Sequence, residues 1–447
     1  MNNARLITRA GVAILALLVC AAPASAQRLR PDRPYRGLFG GNGADPDSKQ
    51  QFDLNVSLFG AYDDNVLGNV SQSALDPRFQ QNGRYGGGTA SLDYTRRTRR
   101  VTFDFTGGTS YRYYPSLRQL NSATSFASAG FSAKLSPRTD LRATESVSYL
   151  PFYSFGAVPG LTTASPGDVA PINPDYPLLQ QTAISLSSSA SLDHRLTPRA
   201  SFAADYMIQY TDYRPGNQLF GNWAVGGALS WKMTRHAAAR FGYHYDRGTT
   251  GLPGAGQGTN EGHTVNLGID FSHSLSPLRT MTYGFSVGTS RYTYLASAGT
   301  TPSASLSTPH LLVTATGYLN RQISRSWTAG LSYNRGVQYV QGFSSPFFSD
   351  SVSANLSGFA GPRSRLNFTA AYSSGQVGIA TSGQGYSTYS GVAGYQVAMG
   401  RFMALFADYN YYHYVFDPTV ALPAGMNRGL NRQSVRVGVN LWVPLLR

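Results

Sequence analysis

Charged side chains are scarce in this chain of 447 residues, because Asp, Glu, Lys and Arg together make up 13% of it. That is about half their share in an ordinary soluble protein. Outside the N-terminal segment no apolar run approaches the roughly 18 residues that a membrane-spanning helix needs, so helical membrane spans are excluded. Cysteine occurs once, as Cys20, and therefore no disulfide bridge forms within the chain.

Motifs for catalysis and metal binding are also missing. The seven histidines are scattered singly, and there is no H-E-x-x-H, G-x-S-x-G or paired-cysteine spacing. The spacing of His244 and Asp246 permits an acid/base pair, but a hydrogen-bonded pair in a strand wall is favoured. Asp63, Asp64 and Asn65 offer oxygen ligands for calcium, yet they lack the spacing of a known calcium loop, which favours an Asx-rich turn. We therefore expect no enzyme activity, no metal and no cofactor.

Residues 1–26 have the pattern of a signal peptide. Arg5 and Arg9 precede an apolar core, and Ala24-Ser25-Ala26 fits the small-residue pattern of a cleavage site. The mature chain is therefore expected to begin at Gln27.

Cleavage before Cys20 would instead give a lipoprotein, but Val19 is a poor residue at such a site. The following residues 27–50 are rich in Pro, Gly, Asp and Arg without apolar periodicity, which predicts a periplasmic linker. Residues 51–447 form the remaining domain.

What this domain contains is an alternation of apolar and polar residues. In residues 434–443 every second residue is valine or leucine, and serine, arginine, glycine and asparagine occupy positions between them. The same split recurs in residues 182–192, 201–210 and 264–271. A period of two indicates β-strands with one apolar face, as in a membrane barrel or in a soluble sandwich.

Segment lengths distinguish the barrel from the sandwich. The candidate strands run to roughly 10 to 14 residues, which is long for a globular sheet and right for a tilted membrane strand. Eight short connections alternate with nine longer ones that are rich in Gly, Pro and Ser, and together they join about eighteen strands. We therefore predict an all-β fold, a transmembrane antiparallel β-barrel with short periplasmic turns and long extracellular loops.

The short connections are basic. The stretch TRRTRR at residues 95–100 is the first, and every one of the eight contains arginine. A nucleic-acid site is disfavoured because the sequence shows no nucleic-acid-binding fold. The favoured role is contact with lipid headgroups; the alternative is a positive periplasmic mouth that attracts anions. This predicted basic rim consists of Arg96, Arg97, Arg99, Arg100, Arg138, Arg195, Arg199, Arg235, Arg279, Arg321, Arg363 and Arg401.

The alternation assigns side chains to lipid and lumen. Leu267 is expected on the lipid side and Gly268 on the lumen side, where an arginine is expected to be better tolerated. The charged residues predicted to line the pore are Asp93, Asp104, Arg112, Arg142, Asp205, Arg240, Asp270, Asp408 and Arg436. Two lipid-anchoring aromatic girdles are predicted at Tyr94, Phe103, Trp231, Phe271, Trp327 and Trp442, and at Tyr111, Tyr113, Tyr210, Tyr292, Tyr294, Tyr409 and Tyr411.

The stretch GAYDDNVLGN at residues 60–69 resembles a segment of the β-barrel porins of Gram-negative outer membranes, including barrels associated with exopolysaccharide export. The general pattern covers residues 51–447, although such barrels usually end on an aromatic residue and this chain ends WVPLLR. The resemblance implies contacts with outer-membrane lipid and the outer-membrane assembly machinery, and for an export barrel with periplasmic polysaccharide-export components.

Barrel size predicts the function, because about eighteen strands enclose a lumen too wide for side chains to fill. A channel for hydrophilic solutes is the leading prediction, and export of an exopolysaccharide is the alternative. A structural or adhesive barrel with a plugged lumen is the third, with residues 63–84 and 154–180 as the loops that fold inward.

Overall fold

The computed structural model describes residues 49–65, 83–115, 121–151, 182–214, 218–251, 257–276, 279–295, 309–324, 326–340, 343, 345–379, 384–422 and 427–446. Within these ranges no helix combines the length and the apolar character that crossing a membrane requires. The predicted signal peptide and nearly all of the predicted linker lie outside them. The first strand begins at Gln50, one residue before the predicted boundary.

Eighteen strands make up the described fold. They are β1 (Gln50–Asp63), β2 (Gly83–Arg97), β3 (Val101–Tyr113), β4 (Ser122–Ser136), β5 (Thr139–Leu150), β6 (Thr182–Arg195), β7 (Ala200–Arg214), β8 (Gln218–Lys232), β9 (Ala237–Gly251), β10 (Gln257–Ser276), β11 (Arg279–Leu295), β12 (His310–Gln322), β13 (Thr328–Gln338), β14 (Phe347–Phe359), β15 (Ser364–Val377), β16 (Gly385–Ala398), β17 (Met403–Phe416) and β18 (Gly429–Leu446).

The strands close into a single ring. Each pairs antiparallel with its neighbours along the chain, and β1 pairs with both β2 and β18. Leu54 faces Leu92 on one side and Val443 on the other, and the register continues along the whole seam. The predicted all-β fold, closed antiparallel barrel and strand number are confirmed, and a soluble sandwich of two sheets is excluded.

Connections of two to five residues lie at one end of the ring, which we call the turn rim. The other nine, at the loop rim, range from three to 31 residues. Two of these connections, 215–217 and 252–256, are short because β7 to β10 extend beyond the 10 to 14 residues expected from the sequence. The Thr249 hydroxyl accepts a hydrogen bond from the Gly221 backbone N–H at 2.8 Å, which holds β8 and β9 together in this extension.

The two faces of the ring differ in polarity. Outside, Leu311 is 76% and Leu267 64% exposed, whereas on the lumen side Ser290 is 1% and Ser286 5% exposed. Gly268 faces the lumen as predicted, but its expected tolerance of arginine is wrong. A Cβ there would lie 2.9 Å from the Phe285 carbonyl oxygen and 2.8 Å from the Ser286 Cβ, so any side chain is strained.

The turn-rim girdle has a continuous part on the outer face, where Phe52, Tyr94 and Phe103 contact one another with ring centroids 6.3 Å apart in each step. Among the girdle residues whose side chains the structure describes, two point inward instead. Tyr292 is buried in the lumen wall, and Trp442 packs against Phe402 inside the turn rim. Both stand at even positions of strands whose outward residues are odd, and strand parity decides the face whatever the residue type.

An apolar cluster, here called the mouth cluster, occupies the lumen at the loop rim. Phe343 from the β13–β14 connection packs on Phe347 and Phe416 at centroid distances of 4.8 and 5.5 Å. Gly378, with φ of 93°, donates a hydrogen bond to the Pro346 carbonyl at 2.8 Å and fixes the end of that connection. The buried members are Leu150, Ala183, Val340, Phe343, Phe347, Val377, Tyr386, Tyr412, Tyr414, Phe416, Val420 and Leu430.

The mouth cluster joins opposite walls, because Leu150 and Ala183 belong to β5 and β6, whereas Phe347 and Val377 belong to β14 and β15. In a ring of eighteen strands these walls stand nine positions apart. The predicted inward-folding loops lie mostly in 66–82 and 152–181, outside the described residues. Among the described connections it is 339–346 and 417–428 that contribute side chains to the mouth.

Candidate pore lining and loop-rim contacts

Among the predicted pore-lining residues, two ion pairs and one histidine–carboxylate pair cross between strands on the lumen wall. Arg436 donates to Asp408 at 2.9 Å, and its guanidinium lies 5.2 Å from the centre of the Phe59 ring. Arg240 lies 3.8 Å from Asp270, which also accepts a hydrogen bond from the Tyr318 hydroxyl. These pairs fix charged side chains against the wall and leave little net charge there.

The third pair changes the interpretation of His244. Its Nδ1 lies 3.8 Å from Asp205 and not beside Asp246. Asp246 is 8% exposed and accepts hydrogen bonds from Tyr292 at 3.0 Å and from Tyr339 at 2.7 Å. The favoured prediction of a hydrogen-bonded pair of His244 with Asp246 is therefore wrong, and so is the acid/base alternative, because two phenols occupy the carboxylate.

Tyr339 directly follows β13 and bonds Asp246 in β9. Because β10 to β12 lie between these two strands, the Tyr339 side chain crosses their lumen face. Burial, followed by the negative charge of Asp246, raises the pKa of Tyr339. The phenol therefore stays protonated at neutral pH and remains a hydrogen-bond donor. Sequence analysis missed this residue because the contact joins elements 93 positions apart and has no local pattern.

The remaining predicted lining residues, Asp93, Asp104, Arg112 and Arg142, lie on the same face. Asp93 accepts hydrogen bonds from Asn55 at 2.6 Å and from a threonine of β3, and Asp104 accepts one from a threonine of β2. Arg112 is 4% exposed, with its guanidinium 5.8 Å from the centre of the Tyr85 ring, whereas Arg142 is exposed. That these residues line a conducting pore stays a prediction.

The described part of the GAYDDNVLGN stretch, residues 60–65, closes the seam of the ring at the loop rim. Asp63 and Arg432 are 0% and 1% exposed and form a double hydrogen bond with a shortest distance of 2.6 Å. The Asn65 backbone N–H donates to Asp63, which is the Asx-turn contact, and its amide donates to the Asn431 carbonyl. Asp64 accepts a hydrogen bond from the Gln433 backbone. These oxygens thus hold β1 against β18.

All twelve arginines of the predicted basic rim lie in or beside the short connections, at a single end of the ring. Arg99, Arg100 and Arg138 are exposed there. Among the described residues no group of three or more His, Cys, Asp or Glu side chains is placed to hold a metal ion.

No protein-family model matches this sequence. No curated protein matches it either.

Solved structures do match the fold. The crystal structure of Pseudomonas aeruginosa OccK2 (OpdF) in complex with glucuronate aligns over 89% of this chain and 98% of its own, with a TM-score of 0.46 and 10% identity. Acinetobacter baumannii OccAB2 aligns over 89% and 98%, with a TM-score of 0.43 and 11% identity. Pseudomonas aeruginosa OpdL aligns over 89% and 99%, with a TM-score of 0.41 and 12% identity.

Proposed function

We propose that the protein is an outer-membrane channel that lets small hydrophilic solutes pass through its lumen. The observation that carries the proposal is the opposite polarity of the two faces of a closed ring. Leu311, Leu267 and Val313 are each more than 60% exposed on the outer face. Contact of this apolar surface with water would cost about 25 cal/mol per Å², whereas contact with lipid carries no such cost. A ring also pairs the backbone of every strand, which a chain in hydrocarbon requires.

The lumen supports passage of water and solutes. Rings of 16 to 18 strands leave a space that side chains do not fill. Serine and asparagine side chains and paired ions make up most of the wall away from the mouth cluster, for example Ser349, Ser353 and Asn410. Polar side chains in this wall offer a hydrophilic solute hydrogen bonds in place of those it loses with water.

In this proposal the turn rim faces the periplasm and the loop rim faces the exterior. The chain enters β1 and leaves β18 at the turn rim, as expected for a chain delivered from the periplasm after cleavage near Ala26. Outer-membrane lipid would surround the apolar band, and the outer-membrane assembly machinery would insert the ring.

The test is fractionation followed by planar-bilayer recording of the purified mature chain. We expect it in the outer membrane, with a gel mobility that changes on boiling, because opening the ring exposes unpaired backbone groups at several kcal/mol each. We also expect stepwise ion conductance. Recovery as a soluble periplasmic monomer would contradict the proposal.

A plugged structural barrel is the second candidate, and the mouth cluster is the observation that favours it. A heat-modifiable outer-membrane barrel without conductance would support this function. Export of an acidic polysaccharide is the third candidate, favoured by the arginines of the turn rim. In that case periplasmic polysaccharide-export components would meet the turn rim.

A further inference from the structure

A recess of about 350 Å³ opens in the lumen wall between β7 and β13. Tyr339 forms its upper edge by reaching from the end of β13 to Asp246 in β9. Asn222, Asn266 and Thr316 stand along the wall beneath. Its volume lies within the range of small-molecule sites, roughly 300 to 1,000 Å³.

The polar groups of the recess are mostly uncharged. Amides from β8, β10 and β13 and hydroxyls from β10 to β12 supply both donors and acceptors. Two of the hydroxyl groups, of Ser286 and Thr316, bond each other at 2.6 Å, which fixes their positions. A rigid set of mixed donors and acceptors matches ligands whose hydroxyl groups both donate and accept.

Ionisable groups around the recess are already engaged. Asp246 accepts two phenol hydrogen bonds, and His244 lies 3.8 Å from Asp205. Arg335 contributes to the lining, but its guanidinium bonds Asp350 at 3.1 Å on the outer face. An anionic ligand therefore finds no free guanidinium among the described lining residues and meets the negative charge of Asp246.

One amide atom points to a missing partner. The Oδ1 of Asn222 is buried, and among the described residues nothing donates a hydrogen bond to it. An unsatisfied buried polar atom costs about 1 to 3 kcal/mol, so a ligand hydroxyl that reaches this atom gains more than an ordinary hydrogen bond with water.

We propose that this recess binds an uncharged polyhydroxylated solute, a neutral sugar of one or two rings, on its way through the lumen. The proposal rests on the channel function proposed above and adds the class of solute. Asn222 and Asn266 bind the hydroxyl groups, and the negative charge of Asp246 disfavours an anionic solute.

The test is blockade of ion current through the purified mature barrel by glucose, maltose and glucuronate. We expect the two neutral sugars to block at lower concentrations than the anionic one. Asn222→Leu and Asn266→Leu should each raise the half-blocking concentration of maltose roughly tenfold, the factor that loss of one hydrogen bond gives.

Asn440→Leu is the matched control, because Asn440 faces the lumen in β18, far from the recess, and should not alter blockade. Heat-modifiable mobility verifies that each variant is folded, and either recess variant suffices for the comparison. Blockade unchanged in a folded recess variant, or stronger for glucuronate than for glucose, would overturn the proposal.

An absence of conductance would count against the channel and not by itself against the recess. Titration calorimetry of the folded barrel with maltose then shows whether the recess binds the sugar. Binding that either recess variant weakens supports the site in a plugged barrel, and absence of binding in the wild type overturns it.

Discussion

The phenol of Tyr292 in β11 donates a hydrogen bond to the carboxylate of Asp246 in β9, although β10 runs between them. Gly262 of β10 makes this possible, because a Cβ there would lie 2.5 Å from the carboxylate and 2.6 Å from the Tyr292 ring. Tyr318 reaches Asp270 over Gly284 in the same way, one strand further along. Glycine thus lets side chains of alternate strands bond across the lumen face.

Gly262→Ala is therefore expected to break the bond between Tyr292 and Asp246. Displacing a buried aromatic ring by overpacking costs about 1 to 3 kcal/mol, so the temperature at which the folded barrel opens should fall. This opening temperature is measured from the gel mobility of samples heated to successively higher temperatures. Gly60→Ala is the control, since nothing lies within 4 Å of its Cβ position, and equal loss in both variants would contradict the explanation.

Leu186→Arg and Ser187→Arg test the assignment of faces at adjacent positions of β6. Leu186 is 38% exposed on the outer face, so its arginine enters hydrocarbon at a cost of about 2 to 4 kcal/mol and should impair assembly. Ser187 faces the lumen, where an arginine stays hydrated. The measured quantity is the fraction of chain recovered as heat-modifiable barrel; similar recovery would show that the outer face does not meet lipid.

Asp63→Ala should weaken the seam between β1 and β18. It leaves the Arg432 guanidinium buried without its carboxylate, which costs about 3 to 5 kcal/mol. Asp408→Ala removes the partner of Arg436 at a more exposed site and should cost less. The urea concentration at the unfolding midpoint ranks the two variants, and a larger loss for Asp408→Ala would be inconsistent with burial as the cause.

Tyr339→Phe should increase conductance, because the chain after β13 loses its hydrogen bond to Asp246 and moves away from the opposite strands. Tyr333→Phe removes a similar bond to Asp350 on the outer face and should leave conductance unchanged. If the two variants conduct alike, the contact with Asp246 does not narrow the lumen.

The same contact predicts the pH dependence of conductance. Burial and then Asp246 raise the pKa of Tyr339, so the bond is complete below the ordinary tyrosine pKa of 10.0 and is lost as pH rises through the raised pKa. Wild-type conductance should therefore stay constant through pH 10, where an ordinary tyrosine is half ionised, and a rise in conductance near pH 10 would contradict the raised pKa.

Replacing Arg96, Arg97, Arg99 and Arg100 by Ser tests the basic rim. If the arginines form a positive periplasmic mouth, polyanions should block the wild-type channel more readily from the turn rim than from the loop rim. The difference should shrink with salt, as the Debye length falls from about 30 Å at 0.01 M to about 3 Å at 1 M. Blockade equal from both sides, or unchanged in the variant, would assign the arginines to lipid contact.

Local patterns determined much of this protein. The period of two fixed the strands and the sides of Leu267 and Gly268, because alternate residues of a strand necessarily face opposite ways. The alternation of short and long connections gave the strand number and the single rim that holds Arg99, Arg138 and the other turn arginines. All of these are properties of neighbouring residues, and neighbouring residues are what a sequence displays.

Tertiary structure alone decided how the lumen is organised. Tyr292, placed by residue type in a lipid girdle, bonds Asp246 instead, and Asp246, expected to pair with His244, is occupied by Tyr292 and Tyr339. The strain at Gly268 comes from the Phe285 carbonyl of the next strand. These contacts join residues that only the closed ring and its registers bring together, and their energies depend on distances of a few ångströms across strands. A period of two shows which way a side chain points, and the fold decides what it meets.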